Sequence, residues 1–165
     1  MRIVVISDTH LSGSDLKLPD KLTEEIKNAD MVVHAGDFVE EEFLEKLKGI
    51  AKEVKAVYGN MDSAELKRKL PEKNVFRVGR FKIGISHGSG APGNLVAVLT
   101  EFFKDDHPDL ILFGHSHAAF NEKIGDTIFF NPGSPFDKIF AKYNSYGIID
   151  INDKIEARIV KFQND

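Results

Sequence analysis

The chain contains no cysteine, and that absence excludes disulfides, thiolate metal sites and cysteine nucleophiles together. Any metal it binds must be held by histidine, carboxylate or amide groups. No apolar run reaches membrane length, and Met1-Arg-Ile-Val-Val-Ile-Ser-Asp8 is too short and too soon acidic for a signal peptide. No membrane partner is expected, and the cytoplasm is the expected location. Basic runs that could follow a nucleic-acid backbone are also missing, and the formal charge is −4, so no extended nucleic-acid surface is expected. Repeats, linkers and low-complexity segments are absent as well. What remains is 165 residues, 42% hydrophobic and 29% charged, long enough to bury a sizeable core as one domain over 1–165.

Hydropathy patterning alternates strands and helices in the first half. Arg2–Ser7, Met31–Ala35 and Glu53–Tyr58 read as short apolar strands, with Ser12–Ser14 as loop. Pro19–Asn28, Glu40–Lys48 and Ala64–Leu70 read as helices, the second stopped by Gly49. A helix is also expected over Leu95–Phe103, and a strand buried on both faces over Leu110–Phe113. Hairpins follow the pairs Val75–Val78 with Phe81–Ser86, Phe120–Ile124 with Thr127–Phe130, and Ser145–Ile151 with Ile155–Phe162. Alternation followed by hairpins fits an α/β fold of two sheets packed face to face and flanked by helices. Of adjacent Phe129 and Phe130, one should face away from the core and is a candidate homo-oligomer contact.

Chemistry gathers where five apolar strands end. In order they give Asp8 with His10, Asp37, Asn60, His87, and His115 with His117. In extended backbone the members of each i, i+2 pair point the same way, so His115 and His117 should converge on one spot beyond the strand. Each residue alone has a bland reading as a turn or loop residue. Seven at the same kind of position point to a metal site of oxygen and nitrogen donors.

Asp8-x-His10, Gly36-Asp37, Gly59-Asn60-x-Asp62, His87-Gly88 and Gly114-His115-x-His117 resemble, in order and spacing, the motifs of calcineurin-like metallophosphoesterases. Asn131-Pro-Gly-Ser134 and the chain length resemble the small phosphodiesterase branch that also contains a retromer coat subunit. The resemblance implies a four-layer α/β/β/α sandwich of two mixed sheets and a binuclear phosphoric diester hydrolase. One metal would take Asp8, His10, Asp37 and His117, the other Asp37, Asn60, His87 and His115, with Asp37 bridging and, with Asn60, serving catalysis. Two divalent transition-metal ions are implied, manganese first, with nickel, iron or zinc as alternatives. A hydroxide bridging such a pair attacks phosphorus in line. Two dications outweigh two carboxylates and one hydroxide, so the site attracts a small phosphodiester despite the negative total.

The family's Gly-Asn-His-Asp/Glu reads Gly59-Asn60-Met61-Asp62 here, which removes the histidine thought to protonate the leaving group. Methionine cannot donate a proton, so diesters with acidic leaving groups are the expected substrates. Asp62 is left with holding its loop. His34 reads first as a core histidine and second as a hydrogen-bond partner of a ligand or phosphate; Asn131 and Ser134 read as turn formers with a contact to the site. Gly88-Ser-Gly-Ala-Pro-Gly93 matches a dinucleotide fingerprint, but the next strand ends in Gly114-His115 where that site wants an acid, so these glycines are read as a bend beneath His87. The contrasting functional reading is a scaffold that kept this fold and lost its chemistry, although all seven ligand residues are present.

Overall fold

The structure is a computed structural model that describes residues 1–12, 17–137 and 139–162. Of the loop expected over Ser12–Ser14, only Ser12 lies within the described residues. Ten strands form two five-stranded mixed sheets. The first is ordered β10 (Ile155–Phe162), β9 (Asn144–Ile151), β1 (Arg2–Ile6), β2 (Met31–His34), β3 (Val54–Ala56). The second is ordered β4 (Lys73–Val78), β5 (Phe81–Ser86), β6 (Leu110–Leu112), β8 (Thr127–Asn131), β7 (Phe120–Ile124). β1 runs parallel to β2 with Ile3 opposite Met31 and antiparallel to β9 with Ile3 opposite Ile149. β5, β6 and β8 are parallel neighbours.

Side-chain alternation builds the layers. Val4 and Ile6 of β1 enter an outer core beneath α1 (Asp20–Asn28), α2 (Glu41–Ile50) and α3 (Ala64–Lys69), meeting Leu22, Ile26, Phe43 and Leu66. Ile3 and Val5 turn the other way and pack between the sheets against Ile83, Leu110, Leu112 and Phe130. Ile111, Phe113 and Phe129 face Leu95, Leu99 and Phe103 on and just after α4 (Leu95–Phe102). The four-layer sandwich follows from these three cores.

Two local expectations are corrected. Gly49 does not stop α2: the helix runs to Ile50, which packs partly buried on the outer core, and Ala51 N–H donates to Leu47 O at 3.0 Å. Neither phenylalanine of the Phe129–Phe130 pair faces outward, because the second sheet is covered on both sides: Phe130 fills the inter-sheet core and Phe129 lies under α4. Neither ring is free to serve as an oligomer contact.

Candidate metal centre

The first sheet delivers Asp8 and His10 after β1, Asp37 after β2 and Asn60 after β3; the second delivers His87 after β5 and His115 and His117 after β6. All seven meet at one end of the sandwich. Oxygen donors come from one sheet, and the imidazoles other than His10 come from its partner.

The turns that present them are not extended. Asp8, His10, Asp37, His115 and His117 have φ of 53°, 46°, 60°, 71° and 56°, a left-handed region that costs non-glycine residues energy and clusters at functional sites. The extended i, i+2 geometry expected for each pair is therefore corrected. His115 and His117 diverge: Nδ1 of His115 lies 3.0 Å from Asn60 Oδ1, whereas Nε2 of His117 lies 3.2 Å from His10 Nε2 and 3.5 Å from Asp8 Oδ1.

Asp37 joins the two groups. Its Oδ2 lies 3.6 Å from His10 Nε2 and 3.4 Å from His87 Nε2, and its Oδ1 accepts from Met61 N–H at 2.8 Å. Asp8, His10, Asp37 and His117 each offer an atom within 4.8 Å of the others. Close approach depends on glycine: a Cβ at Gly59 would stand 2.1 Å from Asp37 Oδ1, and one at Gly114 would stand 1.9 Å from Ser7 Oγ.

The imidazoles are oriented from behind. His87 Nδ1–H donates to Ala35 O at 2.8 Å, His115 Nε2–H to Gly90 O at 2.9 Å, and His117 Nδ1–H to the Asp137 carboxylate. Each neutral ring then turns its other nitrogen, a bare lone pair, toward the cluster. Asn60 Oδ1 faces two such nitrogens, His87 Nε2 at 3.1 Å and His115 Nδ1 at 3.0 Å. Three acceptors facing one another call for a cation between them, so this donor set fits divalent metal. Burial pushes the Asp8 carboxyl up from its ordinary range, against His87 and His117. Burial would also raise Asp37, but the hydrogen bond and charge of His87 outweigh it and hold Asp37 low. Burial would lower His87, and its hydrogen bond to Asp37 and the charge of Asp8 reverse the sign, so that imidazole is raised.

The supporting residues sort clearly. Asp62 Oδ2 accepts from Asp37 N–H (3.1 Å) and Gly59 N–H (2.7 Å), and Oδ1 from Val39 N–H (2.7 Å), so one carboxylate ties the Asp37 and Asn60 loops together. His34 is fully buried and stacked on Phe38 at 3.5 Å. Its Nδ1 accepts from Gly36 N–H and its Nε2 meets Thr9 Oγ1 at 3.1 Å, so this core histidine also braces the Asp8 and Asp37 turns. Burial lowers its pKa well below the ordinary value. Asn131 Nδ2 donates to Gly114 O at 2.7 Å, and Ser134 Oγ donates to Asp8 O at 2.7 Å. The glycine loop after His87 carries the carbonyl that holds His115 and packs its Gly88 against Leu95. His107 is exposed and takes no part. Asp137 escaped the sequence reading; its one signal is a carboxylate soon after the Asn-Pro-Gly-Ser turn in a chain whose site is rich in histidine.

Residues 1–154 match the model of the calcineurin-like phosphoesterase superfamily domain, and the chain belongs to that family. It is 35% identical over 164 residues, 99% of this chain and 82% of the relative, to a probable metallophosphoesterase of Methanocaldococcus jannaschii. A phosphodiesterase of the same organism is 26% identical over 171 residues, 97% of this chain and all but 1% of the relative, of which 99% is covered. The solved structure of an archaeal phosphodiesterase superposes with a TM-score of 0.79 at 25% identity, covering 98% of this chain and 100% of that one. Zinc-complexed Vps29 of Entamoeba histolytica shares the fold, with a TM-score of 0.77 at 24% identity over 98% of this chain and 99% of that one. Among the described residues no helix is long and apolar enough to cross a membrane.

Proposed function

We propose that the protein is a divalent-metal-dependent phosphodiesterase with two ions, manganese first, at the end of the sandwich. Asp8, His10, Asp37 and His117 hold one ion; Asp37, Asn60, His87 and His115 hold the other. The observation that carries this reading is Asp37 Oδ2, which lies within 3.6 Å of His10 Nε2 and 3.4 Å of His87 Nε2 and so serves both groups. Two such ions supply Lewis acidity toward the phosphoryl oxygens and, at neutral pH, a hydroxide for in-line attack. The protein's own part is to fix the donors: Asp62 holds the loops of Asp37 and Asn60, and Asp137 holds His117 in the tautomer that leaves Nε2 bare. Met61, 59% exposed beside Asn60, has no proton to give a departing alkoxide. Diesters of acidic alcohols are therefore the favoured substrates.

The test strips the protein with a chelator, reloads it with manganese, and follows metal content and turnover of bis(p-nitrophenyl) phosphate. Two equivalents of metal with manganese-dependent turnover support the reading. Failure to hold any transition ion overturns it. The likeness to Vps29 favours a second reading, a protein-binding scaffold on the same fold, and two equivalents of metal with no turnover of any phosphoester would select it.

A further inference from the structure

The loop after β8 brings two apolar side chains to the rim of the candidate metal centre. Ile139 is 83% exposed and Phe140 75% exposed, two adjacent apolar side chains left open beside a polar cluster. With Leu11 and Phe136 they wall a cavity of about 470 Å³ whose floor includes His10 and His117, a volume within the range of small-molecule sites, roughly 300–1,000 Å³. The Phe140 ring stands edge-on to the His117 imidazole, with centroids 5.9 Å apart and planes at 84°.

This wall is fixed to the site. Asp137 Oδ1 accepts from the N–H groups of Ile139 (2.6 Å) and Phe140 (3.0 Å), while its Oδ2 holds His117. Asn144 Nδ2 donates to Asp137 O at 2.9 Å, and Ser134 Oγ, which donates to Asp8 O, accepts from Asp137 N–H at 3.0 Å. One carboxylate thus orients an imidazole at the site and the apolar wall beside it. Such coupling serves a ligand that touches both.

Resting on the phosphodiesterase reading, we propose that this wall binds an uncharged, aromatic ester arm of the substrate and that Phe140 sets the preference for it. A second copy of the chain fits less well, since a stable dimer buries about 800 Å² per partner and two side chains above a concave floor offer a fraction of that.

The manganese-loaded full chain is titrated calorimetrically with phenylphosphonate and methylphosphonate. The wild type should bind the phenyl compound about tenfold tighter or more, from burial of the ring. Phe140→Ala should bring the two affinities within about threefold of each other, and Ile139→Ser should move the ratio the same way by less. Both variants should retain the far-ultraviolet circular dichroism of the parent. Equal binding of the two phosphonates by the wild type, or a phenyl preference unchanged in both variants, overturns the inference and leaves the phosphodiesterase reading intact. Binding of neither compound by the loaded wild type overturns both. A dimer dissociated by Phe140→Ala with the phosphonate ratio unchanged assigns the wall to a second copy and overturns it too.

Discussion

Two rims border the candidate metal centre, and they are built differently. The Asn60–Met61 rim hangs from Asp62, a buried carboxylate that takes three backbone N–H groups and, among the described residues, no imidazole. The rim that carries Ile139 and Phe140 hangs from Asp137, which takes two backbone N–H groups and also an imidazole that faces the cluster. The first device is purely architectural. The second links the shape of the rim to the orientation of His117, an imidazole of the cluster. Loss of the first should therefore appear mainly in stability, and loss of the second mainly in metal affinity.

The largest effect comes from removing the carboxylate that joins the two halves of the cluster. Asp37→Asn should cut diester turnover about 10³-fold or more, because the carboxylate proposed to serve both ions loses its charge, and metal content should fall below two equivalents. Asp62→Ala comes next: it strands three N–H groups, most of them buried, and should lower unfolding free energy by about 3 kcal/mol in a urea titration. Asp137→Ala should weaken manganese binding about 10- to 100-fold with the urea midpoint little changed. A urea midpoint that falls as far as in the Asp62 variant would erase the contrast between the rims. Met61→His should have the smallest effect, raising turnover of alkyl phosphodiesters relative to nitrophenyl esters about tenfold; an unchanged ratio would show that the leaving group needs no proton there.

The strands were legible because their apolar runs end in glycine or polar residues, and β6 shows why. Leu110 and Leu112 face the inter-sheet core while Ile111 and Phe113 face α4, so nothing polar interrupts the run. That same double burial hid the fate of Phe129, since a strand pattern cannot say whether a helix covers its far face. Gly49 was misread because glycine stops a helix only where the chain must turn, and here Ile50 still has outer core to meet. The donor types at the site were visible in the sequence, but the paths of their backbones were not. The i, i+2 spacing suggests rings aimed together, whereas left-handed φ at His115 and His117 sends them to different neighbours. Asp137 was invisible because its role exists only once the loop folds back over His117.

The backbone N–H of His115, which follows β6 of one sheet, reaches both oxygens of Asp8, which follows β1 of the other, at 3.1 Å each. Gly114 presses against Ser7 at the same point, with no room for a methyl group between them. The cluster is thus a clasp across the lip of the sandwich, and a cation held by donors from both sheets would tie the two slabs together. Chelation should loosen amide exchange around residues 7–10 and 113–117 in concert, while Ile3 and Leu110, deep in the seam, stay slow.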